Sequence, residues 1–443
     1  MEGTKLKYFL VVLACFAAVI PALNAQEHDD DDDVYWEKRS LIAYNHTLSA
    51  YQAHPHLVIS HTNKAVQRML GSANDTRRVL KGHRYRGPCM TTNPIDNCWR
   101  CNRKWADNRF RLADCGIGFG KPAIGGKGGP IYVVTDPSDD DMVNPKPGTL
   151  RHAVIQTGPL WIIFAHDMTI RLQQELIMQG DKTIDGRGAR VHIAYGAGIT
   201  IQFVNNVIIH GIRVHNIVKG SGGMIRDGLN HYGFRTESDG DGISIFGSTN
   251  IWIDHVSMSK CSDGLIDAIE GSTGITISNS HFTDHNDVML LGASNGQVKD
   301  KFLQATVAFN HFGKRLIQRM PRVRFGFVHV VNNDYTHWNM YAIGGSQAPT
   351  IISQGNRFIA PTSDRLKEVT KRELAQESEW RSWNWRSEGD LMVNGAYFIE
   401  SGDPATIDKF EREFNLVKAA KGIEVPMVTK FAGALDCVPG RKC

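Results

Sequence analysis

Short runs of alternating apolar and polar residues fill the middle of the chain, and one rhythm recurs along it. Six such segments begin 44, 24, 30, 23 and 23 residues apart, and 44 is about two repeats of 22. Alternation with a period of two predicts β-strands whose apolar side chains share one face. The segments begin at Val207, Ile251, Ile275, Ala305, Val328 and Ile351. They end on the large apolar residues Val214, Met258, Phe282, Phe312, Tyr335 and Phe358.

A period in the low twenties with Gly and Asn turns predicts an all-β solenoid, a single-stranded parallel β-helix. Each coil then stacks on the last at about 4.8 Å. Asn residues recurring at one bend are expected to form a hydrogen-bonded ladder, and the terminal apolar residues an internal stack. A β-sandwich is the alternative, but the two-residue Asn-Gly turns that mark its hairpins are scarce.

The rest of the chain divides by composition. Helix-like apolar spacing from about Val34 to Leu80 predicts a small helical N-terminal module, assigned to residues 26–88. The β-helix domain is assigned to residues 89–400, with residues 363–389 as an excursion on its outer surface. Residues 401–443 are expected to be a C-terminal extension packed on the β-helix.

Residues 1–25 have the pattern of a signal peptide, with Lys5 and Lys7 before an apolar core and cleavage after Ala25. We therefore expect a secreted, extracellular protein. No later segment is apolar enough to span a membrane. Secretion makes Asn45 and Asn74, each in an Asn-x-Thr sequence, candidate glycosylation sites.

Secretion also decides how the cysteines are interpreted. Seven cysteines follow the leader, and in an oxidising compartment disulfides are favoured over a zinc site at the pair Cys98 and Cys101. An odd number leaves one free thiol. The composition, 42% hydrophobic and 22% charged with a net charge of +4, is globular and unlike that of a nucleic-acid binder. We expect a monomer with no nucleic-acid or membrane partner.

Acidic and basic residues follow a second register through the same coils. Asp241, Asp263, Asp287 and Arg315 lie 22, 24 and 28 residues apart and are predicted to stack in a column. Asp267 and Arg319 lie four residues further on, in a second shared phase. Carboxylates this close repel unless a cation lies between them, and hard oxygen ligands favour Ca²⁺. A salt-bridge ladder that only protects the surface is the alternative.

Calcium beside arginines would attract an acidic polysaccharide. The ion would stabilise the charge that develops when the proton α to a uronate carboxylate leaves, and β-elimination would follow. Hydrolysis would instead need two carboxylic acids. Arg319, with an ordinary pKa of about 12.5–13.8, could act as the base only if nearby positive charge disfavours its cation. The alternative bases are the histidines His281, His285, His311 and His329.

Four stretches carry a resemblance to a known family: WIDHVSMSKCSDGLIDAIEGS, HNDVMLLG, FNHFGKRLIQRMPRVRFG and VHVVNNDYTHWNMYAIGGS. The chain resembles the plant pectate lyases of the pectate lyase and pollen allergen family, polysaccharide lyase family 1. The resemblance implies a right-handed parallel β-helix and calcium-dependent eliminative cleavage of de-esterified homogalacturonan in the plant cell wall. It implies Arg319 as the catalytic base, and Arg324 with Arg322 as substrate-binding residues. It implies Asp239, Asp241, Asp263 and Asp267 as calcium ligands. The spacing of charged residues along the coils pointed to the last three of these and not to Asp239.

The chain departs from the family's pattern in two stretches, HNDVMLLG and GKRL, the latter at residues 313–316 and more basic than expected of plant relatives. Asp287 stands where bacterial relatives carry a substrate-binding lysine, so that contact cannot be transferred. Some members of the family are allergens with little or no activity, so a non-catalytic pectin-binding wall protein is the alternative function. A pectin hydrolase is the third.

Overall fold

A computed structural model of the protein describes residues 32–79, 91–403 and 416–443. The predicted signal peptide and Cys89 lie outside the described residues, and so does the side chain of Asn74. Within the described ranges no helix is both long and apolar enough to cross a membrane.

Three parallel sheets carry the chain through successive coils. Sheet A has ten strands: Ile131–Val134, Leu160–Phe164, Lys182–Asp185, Asn205–His210, Thr249–Asp254, Thr273–Ser278, Gln304–Ala308, Phe327–Val331, Thr350–Gln354 and Trp385–Glu388. Sheet B has nine: Met168–Ile170, Val191–Ala194, Arg213–His215, Ser257–Ser259, His281–Thr283, His311–Phe312, Asp334–Tyr335, Arg357–Ile359 and Leu391–Val393. Sheet C has eight: Leu176–Ile177, Ile199–Gln202, Ile243–Phe246, Ile266–Ile269, Met289–Leu291, Arg322–Arg324, Ile343–Ser346 and Thr370–Arg372.

Two strand pairs lie outside these sheets. Gly223–Gly228 and His231–Arg235 form an antiparallel hairpin, while His285–Asp287 pairs in parallel with Leu316–Gln318. The α-helices are residues 32–50, Pro55–Val79, Pro94–Trp99, Leu150–Val154, Glu377–Trp380 and Val425–Val428. Short 3₁₀ segments are Arg109–Cys115, Val298–Phe302, Asp364–Leu366 and Gly422–Glu424.

The six repeats pair in the register that the sequence predicted. In sheet A, Val207 aligns with Ile251, then Ile275, Ala305, Val328 and Ile351. Their terminal residues align in sheet B, and the rings of Phe282, Phe312, Tyr335 and Phe358 stack with centroids 5.2, 4.5 and 4.6 Å apart. The predicted parallel β-helix is therefore confirmed, and the β-sandwich is excluded.

The asparagine ladder is also present. The backbone N–H of Asn310 donates to Oδ1 of Asn333 at 2.9 Å, and that of Asn333 donates to Oδ1 of Asn356 at 2.8 Å. All three side chains are fully buried. Each amide therefore satisfies backbone groups at a bend where no strand can do so.

Residues 363–389 differ from the prediction of a surface excursion. They contribute a strand each to sheets C and A, Thr370–Arg372 and Trp385–Glu388. Trp383 and Trp385 are buried against the core. Their apolar rings close the end of the apolar column, which is why a tryptophan-rich stretch continues the solenoid instead of lying outside it.

The predicted N-terminal helix exists but is broken at residues 51–54, just before Pro55, a residue tolerated in the first turn of a helix. The first helix lies along the edge between sheets C and A, and the second crosses sheet A, so that the module contacts successive coils in chain order. These contacts pair Arg39 with Gln202, Thr47 with Gly271, Gln52 with Gln304 and Asn63 with Gln354. The module is thus fastened along much of the solenoid.

Disulfides account for the cysteine pattern. Cys98 pairs with Cys115 and Cys437 with Cys443, while Cys101 is also disulfide-bonded. Within the described ranges Cys261 is the free thiol. The preference for disulfides over zinc at Cys98 and Cys101 is therefore confirmed.

Candidate active site

A groove of about 450 Å³ crosses the outer face of sheet C. Its floor comes from outward-facing residues of the strands Ile199–Gln202, Ile243–Phe246 and Ile266–Ile269. The predicted calcium ligands all line it: Asp239, Asp241, Asp263 and Asp267. Coiling thus brings carboxylates from two successive turns of chain to one place.

The acidic groups repel each other. Burial raises the pKa of Asp241 to about 6, and the charge of Asp263 adds to that rise. Burial and then the charge of Asp241 raise the pKa of Asp267 well above its ordinary value. The physical cause in both cases is negative charge held near negative charge with little water, which a cation would relieve.

The donor set fits a hard divalent ion. The Asp241 carboxylate accepts from the Ser244 hydroxyl at 2.7 Å and the Gly264 N–H at 2.8 Å, which holds it in place. A β-carbon on Gly264 would overlap the Asp267 carboxylate. In the described ranges no group of three or more acidic, histidine or cysteine side chains is already arranged around one point.

The predicted acidic column does not share one register. Arg315 lies opposite Asp284, with which it forms an ion pair, because His285 aligns with Leu316 and Asp287 with Gln318. Asp241 aligns with Gly264, the residue after Asp263, because Ile243 pairs with Ile266. The prediction was wrong because turns between sheets differ in length from coil to coil.

The predicted alignment of Asp267 with Arg319 is also wrong in detail. Asp267 aligns through Leu290 with Arg322, not with Arg319. The coil between Leu290 and Arg322 contains the 3₁₀ segment Val298–Phe302, which makes this coil longer than the repeat spacing predicted. Arg319 lies just before the strand Arg322–Arg324 and has a positive φ of 60°. Asp267 and Arg319 nevertheless lie near each other, because the carbonyl of Arg319 accepts from the N–H of Met289 and the next N–H, that of Leu290, donates to Asp267. The charge of Arg319 opposes the rise in the pKa of Asp267.

The three arginines differ in surroundings. Nε of Arg319 lies 3.0 Å from Oδ1 of Asp287, without the alignment of a hydrogen bond. Arg322 is buried and pairs with Glu373 at 2.8 Å. Burial, then the charges of Arg322 and Arg319, lower the pKa of Arg324. The roles predicted for all three stay predictions, and Asp287 is the neutralising partner of Arg319.

The four candidate histidines have structural partners. His281 and His311 stack with centroids 4.7 Å apart, and His329 lies 3.1 Å from Oε1 of Gln354. His285 lies 2.6 Å from the carbonyl oxygen of Asp263. Burial lowers the pKa of each of the four. His285 therefore supports the acidic segment from behind.

Sequence reasoning missed one end of the groove. Glu175, Arg235 and Gln202 line it and bond to each other, Arg235 donating to both of the others at 2.8 Å. These residues are far apart in the chain and outside the six repeats, so no spacing signal marked them.

The family models that match the chain are "Pectate lyase" over residues 145–379 and "Pectate lyase, N terminus" over residues 30–80. "Pectate lyase" of Lilium longiflorum is 57% identical over 99% of both chains. "Probable pectate lyase 7" of Arabidopsis thaliana is 56% identical over 100% of both chains.

Solved structures agree with the fold. The crystal structure of Jun a 1, the major allergen from cedar pollen, is 46% identical with a TM-score of 0.73, covering 77% of this chain and 99% of that one. A Bacillus subtilis pectate lyase mutant, at 18% identity and a TM-score of 0.52, covers 72% of this chain and 97% of its own, and shares the fold. The family models and full-length relatives confirm the resemblance seen in the sequence, and the chain belongs to the pectate lyase family as an enzyme of the plant type.

Proposed function

We propose that the protein is a secreted, calcium-dependent enzyme that cleaves de-esterified homogalacturonan, the α-1,4-linked galacturonan of pectin, by β-elimination. The products are 4,5-unsaturated oligogalacturonates, and the setting is the plant cell wall. One observation carries the proposal: the groove holds Asp239, Asp241, Asp263 and Asp267, and Arg319 lies within electrostatic reach of Asp267.

The four aspartates are the proposed calcium ligands. The raised pKa values of Asp241 and Asp267 indicate negative charge that no cation neutralises. Carboxylate oxygens suit calcium better than a transition metal. Calcium, when bound there, supplies positive charge that acidifies the proton α to a uronate carboxylate.

The arginines supply the rest of the proposed chemistry. Arg324 binds and orients the sugar carboxylate, since its planar fork of donors matches a carboxylate. Arg319 accepts the proton from C5, α to the carboxylate; the released electron pair forms the C4–C5 double bond as the C4–O4 bond breaks, and water protonates the departing oxygen. Arg322, held by its ion pair with Glu373, supplies the second predicted substrate contact.

The test measures the elimination products formed from polygalacturonates of different degrees of methylation, in the presence of calcium and in excess chelator. We expect unsaturated, UV-absorbing chain ends in calcium, most from the least methylated substrate, and none in chelator. Mass spectrometry of the products separates the alternatives. Saturated reducing ends would show hydrolysis, and tight binding without any product would show a non-catalytic wall protein.

A further inference from the structure

The N-terminal helix reaches the end of the groove that lies away from Arg319. Trp36 of this helix lies under the Arg235 guanidinium at 5.2 Å, and Arg39 lies over the same indole ring at 5.0 Å. Arg39 also donates to the backbone oxygen of Gln202 at 3.2 Å. Both Arg235 and Gln202 line the groove. The helix therefore contacts two groove residues directly.

The hairpin that carries Arg235 is fastened to the same helix. The Tyr35 ring stacks on His231 with centroids 3.4 Å apart, and its hydroxyl donates to Asp227 at 2.8 Å. His231 lies 2.7 Å from Asp227 and 3.0 Å from Asp32. A two-stranded hairpin is marginal alone, so these contacts set where Arg235 lies.

Arg235 has donors to spare. Among the described residues that line the groove it is the single basic one. Its bonds to Glu175 and Gln202 use two of the five N–H donors of a guanidinium. The remaining donors are held in a fixed plane by the indole ring and by Glu175. Such a fork is suited to a carboxylate.

Arg235 and Arg324 lie at opposite ends of one row across sheet C. Gln202, the partner of Arg235, aligns with Phe246 and then Ile269, and Arg324 donates to Gly292, the next position in that row. The strands at the two ends are four steps apart, or about 19 Å. Phe246 and Ile269 are half-buried and form an apolar floor between the two cations.

We propose that Arg235 binds a distal uronate carboxylate of a long pectate chain, and that Trp36 of the N-terminal module is the residue that positions it. This inference rests on the proposed function of the same groove. The sugar rings would lie on Phe246 and Ile269, with one carboxylate at each end. The N-terminal module thereby affects the affinity for long chains and leaves the reacting centre unchanged.

The experiment compares Arg235→Gln, Trp36→Ala and the parent on polygalacturonate and on trigalacturonate. We expect KM for the polymer to rise about tenfold in both variants, the loss of one charge-assisted contact, with kcat unchanged. Trigalacturonate kinetics should stay as in the parent because a short chain does not reach both arginines. Asn63→Ala is the matched control, since it removes a docking contact at Gln354, far from Arg235.

The outcomes are separable. A polymer KM unchanged in Arg235→Gln would overturn the inference, and an increase confined to Arg235→Gln would overturn the part assigned to Trp36. Equal increases in Asn63→Ala would show a general loss of docking and also contradict it. If the parent yields no unsaturated product, the proposed function fails, and calorimetric binding of polygalacturonate to the same variants still decides on Arg235. Circular dichroism verifies the fold of each variant.

Discussion

A single glycine explains why the acidic motif has its form. Gly264 separates Asp263 from Asp267 by a turn into sheet C, and a β-carbon there would occupy the place of the Asp267 carboxylate. Its N–H also donates to Asp241. The motif DGLID is therefore a way of packing carboxylates of neighbouring coils closely, and the raised pKa values of Asp241 and Asp267 follow from it.

The residue on which the chemistry depends most is Arg319. We expect Arg319→Lys to lower kcat for elimination by at least about a hundredfold, because lysine cannot place the same nitrogen at the reacting proton. Full activity in this variant would remove Arg319 from the mechanism.

The control for that exchange is Arg315→Lys. Arg315 is exposed and pairs with Asp284, whereas Arg319 is half-buried beside Asp287. Arg315→Lys should retain parental kcat, and both variants should keep the parental Tm.

Within the solenoid, we expect the asparagine ladder at the bend between sheets A and B to be sensitive to substitution. Asn333 donates to the carbonyl of Val307 and to Asn356, while its Oδ1 accepts from Asn310. We expect Asn333→Ala to cost about 2–3 kcal/mol of unfolding free energy, because several buried groups lose their partners. Urea denaturation measures it. The exposed Asn339→Ala should stay within about 0.5 kcal/mol of the parent, and equal losses would contradict the role of the ladder.

The histidine stack on sheet B predicts a pH dependence. Burial and the neighbouring His311 lower the pKa of His281 from 6.5 to about 4. Between these values the unfolded chain binds a proton that the folded chain does not, so stability falls as pH falls from about 6.5 to about 4.

The test is His281→Ser, since Ser257 occupies the same position on the preceding coil. We expect its Tm to depend less on pH than the parent's across this window. The exposed His337→Ser controls for loss of an imidazole. A parental slope in His281→Ser would refute the explanation.

Elements built on inward-facing apolar residues could be predicted to the residue. Ile251 and Ile275 must both enter the core, so a slip by one residue would turn each strand over, and the register is fixed. Charged side chains that face outward do not fix the register of a strand in this way. Arg315 was predicted to lie opposite Asp287 but lies opposite Asp284, because the coil between them contains extra residues such as Val298–Phe302.

At the scale of the molecule, the N-terminal module follows the solenoid along its length. It was predicted as helical and separate, and its helicity is confirmed. Its path could not be predicted because it depends on single polar contacts such as Gln52 with Gln304, which leave no periodic pattern in the sequence. The same holds for the junction of Trp36 with Arg235.

We propose that coiling builds one site in which calcium and arginines act on the same sugar. The most direct test is the crystal structure of Arg319→Lys with calcium and an oligogalacturonate, with the ion located by anomalous scattering. We predict an ion held by oxygens of Asp239, Asp241, Asp263 and Asp267, and a uronate carboxylate between it and Arg324. An ion on another face of the solenoid, or a sugar chain outside the groove, would contradict the account.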